Sequence, residues 1–182
     1  MLIIARQVVK VVDAAKMQAA ILLDYGAEIG QAGNNGASPL YVASLNGHLD
    51  VARLLLDKGA EVGQADNNGA SPLCIASRDG FLDVVRLLLD KGAEVGQADN
   101  DGASPLYAAS FYGHLDVARL LLDKGAEVGQ VDNNGLSPLF AASANGHLDV
   151  VRLLLDKGAK VGGPMTDLTS PLHAAKHNGH LD

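Results

Sequence analysis

Residues 66–97 read Asp-Asn-Asn-Gly-Ala-Ser-Pro-Leu-Cys-Ile-Ala-Ser-Arg-Asp-Gly-Phe-Leu-Asp-Val-Val-Arg-Leu-Leu-Leu-Asp-Lys-Gly-Ala-Glu-Val-Gly-Gln, and nearly the same string returns about every 33 residues. Such a chain is a stack of similar units, each of which buries its apolar face only against its neighbours. The period therefore predicts one elongated domain over residues 1–182, offering a long surface rather than a catalytic cleft. Its predicted units are a degenerate copy at 1–32, full copies at 33–65, 66–98, 99–131 and 132–164, and a partial copy at 165–182.

Each full copy carries the signals of two short antiparallel helices. Ser71 and Pro72 predict the start of the first helix, because Ser caps free backbone N–H groups and Pro at the first helical position loses no hydrogen bond. The second helix is predicted to run from about Leu82 to Lys91 with a broad apolar face, and Gly92 supplies a left-handed stop. The Gly-, Asn- and Asp-rich segment that follows predicts an extended turn whose tip projects from the helices.

The recurring phrases Ser-Pro-Leu, Gly-His-Leu-Asp-Val and Leu-Leu-Leu-Asp-Lys-Gly-Ala resemble the ankyrin repeat, with its Thr-Pro-Leu-His, Gly-His and Leu-Leu…Gly-Ala landmarks. This resemblance implies an all-α solenoid of stacked helix-turn-helix units with protruding β-turn tips. It also implies a non-catalytic protein–protein interaction module that binds its partner through a concave face. The His that usually follows Pro-Leu is replaced, which puts in question its usual hydrogen bond to the loop. The replacements are Tyr41, Cys74, Tyr107 and Phe140.

Variation between the copies is concentrated in the first helix and the tight turn after it, whereas Arg-Leu-Leu-Leu-Asp-Lys-Gly-Ala is repeated verbatim. In the ankyrin family, the pair before the turn glycine and the loop tip line the groove where partners usually sit. On that resemblance, the site comprises Leu45, Asn46, Arg78, Asp79, Phe111, Tyr112, Ala144 and Asn145, rimmed by Asn67, Asn68, Asn100, Asp101, Asn133, Asn134 and Leu136.

Phe111 and Tyr112 are the best anchor candidates, since exposed aromatic residues tend to carry interface energy. Arg78 beside them could contact a carboxylate of a partner. The alternative is that these positions drift because nothing packs on them. The residues at the equivalents of Tyr41 and Val42 are instead expected to pack between helices.

Composition and charge exclude several classes of function. The net charge of −7, without any basic run, argues against a nucleic-acid or anionic-membrane partner. No apolar stretch reaches the roughly 18 to 20 residues that cross a bilayer. The single cysteine, Cys74, occupies a repeated packing position and is expected to be an unreactive thiol, which fits an intracellular, cytoplasmic protein.

No constellation indicates catalysis, a cofactor or a metal site. His48, His114 and His147 follow turn glycines where the second copy has Phe81, so packing or helix capping is expected of them. The His173 and His177 pair has metal-ligand spacing but lacks completing ligands, and residues 99–102, which faintly resemble a calcium loop, are expected to form a turn. Asp50, Arg53 and Asp57, repeated in each full copy, predict exposed ion pairs within the second helix.

Three other functions remain open at this point. The first copy is dense in apolar residues, including Ile4 and Val8, which suggests self-association through that end. The chain could thus be a structural spacer or a self-associating scaffold, of natural or engineered origin. It could also be the targeting arm of a larger protein.

Overall fold

The computed structural model describes residues 29–161, which contain eight α-helices in four helix-turn-helix pairs and no strand. Each first helix packs against the second helix of its own pair and against the first helix of the next pair, while second helices touch more sparsely. The predicted all-α solenoid is therefore confirmed. The first helices are α1 (Pro39–Leu45), α3 (Pro72–Arg78), α5 (Pro105–Tyr112) and α7 (Pro138–Ala144); the second helices are α2 (Leu49–Asp57), α4 (Leu82–Asp90), α6 (Leu115–Asp123) and α8 (Leu148–Asp156).

The helices begin where the sequence signals predict. In α3, the hydroxyl of Ser71 accepts a hydrogen bond from the backbone N–H of Cys74 at 3.2 Å, and Pro72 occupies the first helical position. At the other end of the unit, α4 stops at Asp90 with Lys91 as its cap, one residue earlier than expected. Gly92 follows with a φ of 89°, the left-handed conformation that Gly adopts without steric cost.

One apolar core runs through the described stack. Leu40, Leu73, Leu106 and Leu139 occupy the same position in successive first helices, and each is at most 2% exposed. Alanine at the equivalents of Ala76 keeps the helices close, because a larger side chain would separate them. Since burying one Leu stabilises a fold by roughly 1.5–3 kcal/mol, repetition of this column holds the stack together.

The position that Ile75 occupies in α3 is buried in the first helices, as predicted, with one exception. Ile75 is 3% exposed and packs against Tyr41 of the preceding pair. Val42, its equivalent in α1, is 46% exposed, so the expectation that Val42 packs between helices is wrong. Among residues 29–161, Val42 has no counterpart of Tyr41 to pack against.

Several predictions fall outside the described residues. These are most of the degenerate copy, the apolar N-terminal segment, the partial copy at 165–182 and the pair His173 and His177.

Candidate protein-binding surface

The predicted site residues lie at two places in each unit: the end of the first helix and the tip of the loop. We call these positions together the turn-and-tip surface. Neighbouring repeats meet there, because Nε2 of His114 lies 2.9 Å from the carbonyl oxygen of Arg78 in the preceding repeat. Leu45 is half-buried against Tyr41 and Ile75, so it contributes less exposed surface than the later pairs.

An aromatic cluster occupies the end of α5, which is one residue longer than the other first helices. The ring of Phe111 lies edge-on to that of Tyr112, with centroids 5.0 Å apart, and stacks on Tyr107 at 6.4 Å. Tyr112 in turn stacks on His114 at 6.5 Å. Phe111 is 39% exposed and Tyr112 is 52% exposed. The cluster therefore supports the two rings from below and leaves their outer faces accessible.

Arg78 already has a carboxylate partner in its own chain. Its Nε and one terminal nitrogen donate to the two oxygens of Asp79 at 2.9 and 3.1 Å. This hydrogen bonding raises the pKa of Arg78, although partial burial opposes the shift. The sequence hypothesis that Arg78 contacts a partner's carboxylate overlooked this neighbour, which an incoming acid would have to displace.

The first asparagine of each tip joins neighbouring repeats. The side-chain amide of Asn100 donates to the carbonyl oxygen of Asn67 at 3.1 Å, and its backbone N–H donates to that of Asn68 at 2.9 Å. Asn67 and Asn133 make the same side-chain bond to the repeat before them. These three residues of the predicted rim therefore form a ladder along the stack, a structural function that sequence reasoning missed.

The second position of each tip is exposed and differs between repeats. The amide of Asn68 donates to the second carboxylate oxygen of Asp66 at 3.3 Å, and Asn134 does the same to Asp132 at 3.4 Å. In the third repeat this position is Asp101, whose carboxylate has no hydrogen to donate. Its backbone N–H still bonds Asp99 at 3.0 Å, so the turn keeps its shape but carries two carboxylates.

The remaining pair residues bond within their own helices. The amide of Asn46 donates to the carbonyl oxygen of Val42 at 2.8 Å, and that of Asn145 to Ala141 at 2.9 Å. Leu136 is half-buried at the fourth tip, where its N–H donates to Asp132 at 2.8 Å. The side-chain amides of Asn46 and Asn145 therefore complete their own helices, and the backbone of Leu136 completes its turn.

Tyr replaces the usual His without losing the contact to the loop. Burial raises the pKa of Tyr41, and the charge of Asp66 together with a hydrogen bond to it raises the pKa further. Tyr107 stands in the same relation to Asp132. In the second repeat the thiol of Cys74 lies 3.8 Å from the carbonyl oxygen of Ala103.

Burial raises the pKa of Cys74 to about 12. The thiolate, which is the nucleophilic form, is therefore scarce at neutral pH. This agrees with the expectation of an unreactive packing residue.

Three further ladders join the repeats, and two of them correct sequence predictions. Gln97 donates to the carbonyl oxygen of Gly63 at 3.3 Å, a bond that its equivalents repeat. His114 forms no side-chain cap on its own helix; instead its Nε2 donates to the carbonyl oxygen of Arg78 at 2.9 Å. His147 makes the same bond to the carbonyl oxygen of Phe111.

The main ion pairs also run between repeats rather than within a helix. Lys91 lies 2.7 Å from Asp57, and two equivalent pairs follow at Lys124–Asp90 and Lys157–Asp123. Among the described residues, Arg152–Asp149 at 3.8 Å is the one pair inside a second helix. The prediction of repeated intrahelical pairs was therefore largely wrong. A search for complementary groups one period apart could have found the ladders.

A metal-binding cluster and a membrane-spanning helix are both absent from the part of the chain that the structure describes. Residues 29–161 contain no group of three or more His, Cys, Asp or Glu side chains placed to hold a metal ion. Among the helices of the same residues, none combines the length and the hydropathy needed to cross a membrane.

Comparison with known families supports the architecture described above. A family profile for ankyrin repeats in three copies matches residues 11–66, 63–132, 92–164 and 125–182. No curated protein matches the chain. The profile matches together extend over residues 11–182 and include all four described helix pairs. The chain therefore belongs to the ankyrin-repeat family.

Proposed function

We propose that this protein is a non-catalytic binding module that holds a protein partner on its turn-and-tip surface. Ankyrin repeats are generally protein–protein interaction modules, and the family is typically non-catalytic. The observation that carries the proposal is the adjacent pair Phe111 and Tyr112, whose rings are exposed at the end of a packed helix.

The aromatic pair has the properties of an interface anchor. Exposed rings lose unfavourable contact with water when a partner covers them, and anchors of this kind contribute about 2 kcal/mol or more to binding. Tyr107 and His114 support the rings on either side, at centroid distances of 6.4 and 6.5 Å. Because this support is present in the unbound chain, less conformational entropy is lost on binding.

A rigid scaffold carries these rings. The Asn, Gln, His and Lys ladders fix each repeat on the one before it through bonds of 2.7 to 3.3 Å. The surface is therefore preformed in the unbound chain and does not have to fold when the partner binds. The buried free thiol of Cys74 supports our proposal of an intracellular, cytoplasmic location, where thiols stay reduced.

Other functions considered from the sequence gain no support from the described residues. The apolar segment that suggested self-association lies outside them. The hypothesis of a targeting arm concerns a further domain of a larger protein, and residues 29–161 do not test it.

The test is a quantitative pull-down from a lysate of the source organism with three baits: wild type, Phe111→Ala/Tyr112→Ala and Leu148→Ala/Leu155→Ala. Leu148 and Leu155 are 57% and 41% exposed on α8, so the control also removes two exposed apolar side chains. We expect the aromatic variant to lose partners that the wild type and the control both retain. Identical capture by all three baits would contradict the proposal.

Folding must be shown to be intact for the comparison to count. The helical circular dichroism signal and the melting temperature should agree between the two variants. Loss of capture by the control alone would place the binding site on the second helices and would also contradict the proposal.

A further inference from the structure

Acidic and aromatic changes coincide in one repeat. The second tip residue is Asn68 in the second copy and Asn134 in the fourth, but Asp101 in the third. The same copy is the one that carries Phe111 and Tyr112. Against an otherwise nearly constant background, this repeat therefore adds a negative charge and two exposed rings to the same surface.

Basic residues are unevenly distributed over the described part of the stack. The turn-and-tip surface and the tip bases contain one cation, Arg78, which is bonded to Asp79. Five carboxylates accompany it: Asp66, Asp79, Asp99, Asp101 and Asp132. The other described basic residues all lie in or just after second helices; they are Arg53, Lys58, Arg86, Lys91, Arg119, Lys124, Arg152, Lys157 and Lys160.

The negative charge of the third tip is also the least compensated. Asp99 accepts backbone N–H groups from Asp101 and Ala103 at 3.0 and 2.9 Å through one oxygen. It cannot receive the side-chain amide bond that Asp66 receives from Asn68, because Asp101 brings a second carboxylate instead. Two carboxylates on one turn therefore favour a nearby cation.

The aromatic cluster lies within reach of this acidic field. Asp132, at the base of the fourth tip, interacts electrostatically with Tyr107, whose ring stacks on Phe111. One carboxylate of the neighbouring repeat therefore lies beside the aromatic cluster.

We propose that the partner docks through a cationic segment, in which one Lys or Arg side chain lies over Phe111 and Tyr112 and another contacts the carboxylates of the third tip. This inference rests on the proposed function and specifies its partner. Lys and Arg suit such a surface because their aliphatic stems cover apolar rings, while their charged ends attract both aromatic faces and carboxylates. Complementary charge also excludes acidic partners.

The test uses random 12-residue peptides displayed on phage and selected against the immobilised full chain. The charge of the enriched peptides is compared with that of the starting library. The most enriched peptide is then synthesised, and its affinity is measured for wild type, Asp101→Asn and Asp116→Asn. Asp116 is an exposed acid on α6, so its variant removes the same charge from a second helix.

We expect the enriched peptides to carry more Lys and Arg than Asp and Glu. Asp101→Asn should weaken the binding of the synthetic peptide roughly 3- to 10-fold at low salt. Asp116→Asn should leave it within about 2-fold, and added salt should weaken binding to the wild type. The Asn variant is expected to fold, since neighbouring tips already contain Asn at this position.

The outcomes separate the two proposals. Neutral or acidic peptides, or equal effects of the two charge variants, would overturn the cationic partner. If those peptides were still lost with Phe111→Ala/Tyr112→Ala, the proposed function would stand. Failure of the wild type to enrich any peptide over the aromatic variant would count against both.

Discussion

The second helices and loops repeat almost unchanged, and their side chains bond the neighbouring repeat. At the divergent ends of the first helices, the side chains of Asn46, Arg78 and Asn145 instead form hydrogen bonds within their own repeat. Lys91 bonds Asp57 across the repeat boundary and Gln97 bonds Gly63. Arg78 instead bonds the adjacent Asp79. The constant positions are therefore constrained by stacking, whereas stacking constrains the side chains of the divergent positions less.

The largest expected effect contrasts a core residue with an exposed anchor. Leu88 is fully buried, so Leu88→Ala should lower the free energy of unfolding by about 3 to 4 kcal/mol through lost burial and a cavity. Phe111→Ala, at a residue 39% exposed, should cost about 1 kcal/mol or less. Urea unfolding followed by circular dichroism measures both values. Equal losses would remove the distinction between the two regions.

A pair of glycines tests how closely the turns approach each other. Gly113 has a φ of 79°, and a Cβ there would lie 2.5 Å from Nδ1 of His147 in the next repeat. Gly125 has a φ of 92°, but a Cβ would meet nothing within 4 Å. Gly125→Ala should therefore cost only backbone strain, about 1 kcal/mol, and Gly113→Ala about 2 to 3 kcal/mol.

The same urea titration compares the two variants. Indistinguishable midpoints would show that the ring of His147 moves aside at little cost. The ladder at this turn would then be weaker than its geometry indicates.

Substitutions at two adjacent residues of the third tip should change the stability of the fold in opposite directions. Asn100→Ala removes an exposed hydrogen bond to the carbonyl oxygen of Asn67 and should cost about 1 kcal/mol. Asp101→Asn should stabilise the fold by about 0.5 kcal/mol, because it separates like charges and supplies the amide that Asn68 gives to Asp66. Thermal unfolding of the two variants decides this; destabilisation by Asp101→Asn would refute the account of the third tip.

The ion-pair ladder should have the smallest effect and the clearest pH dependence. A hydrogen bond from Lys157 lowers the pKa of Asp123, so the pair stabilises the fold above the ordinary carboxylate pKa and is lost as the pH falls through the lowered value. Lys157→Met should melt slightly below wild type at pH 7, and the difference should vanish once the pH falls below the lowered pKa of Asp123.

Because both partners are exposed, the difference at pH 7 should also shrink in 1 M salt. Persistence of the difference in acid or in salt would show that the stem of Lys157 stabilises by packing instead of by charge.

Local chemistry made the helices predictable from the sequence. Ser71, Pro72 and Gly92 mark boundaries through groups in their own backbone segment, so no knowledge of the neighbours is needed. The core followed from the repeated Leu and Ala positions. The predicted end of α4 differs from the observed end by only one residue.

The surface was less predictable because its bonds join residues one period apart. His114 resembles a helix cap in sequence, but its partner is a carbonyl group 36 residues away. The first asparagine of each tip was likewise assigned to recognition, although its amide serves the stack. Divergence directed attention to Phe111 and Tyr112, and their binding function stays a prediction.

The ladders have a consequence for how such a chain can change length. In the Asn, Gln, His and Lys ladders the donor lies in the later repeat, 33, 34, 36 and 34 residues after its acceptor. A gene duplication or deletion of one whole period therefore restores every bond at the junction. A single inserted codon in a loop shifts donors away from acceptors. The stack thus tolerates insertions and deletions of 33 residues, whereas shorter insertions or deletions disrupt the ladders.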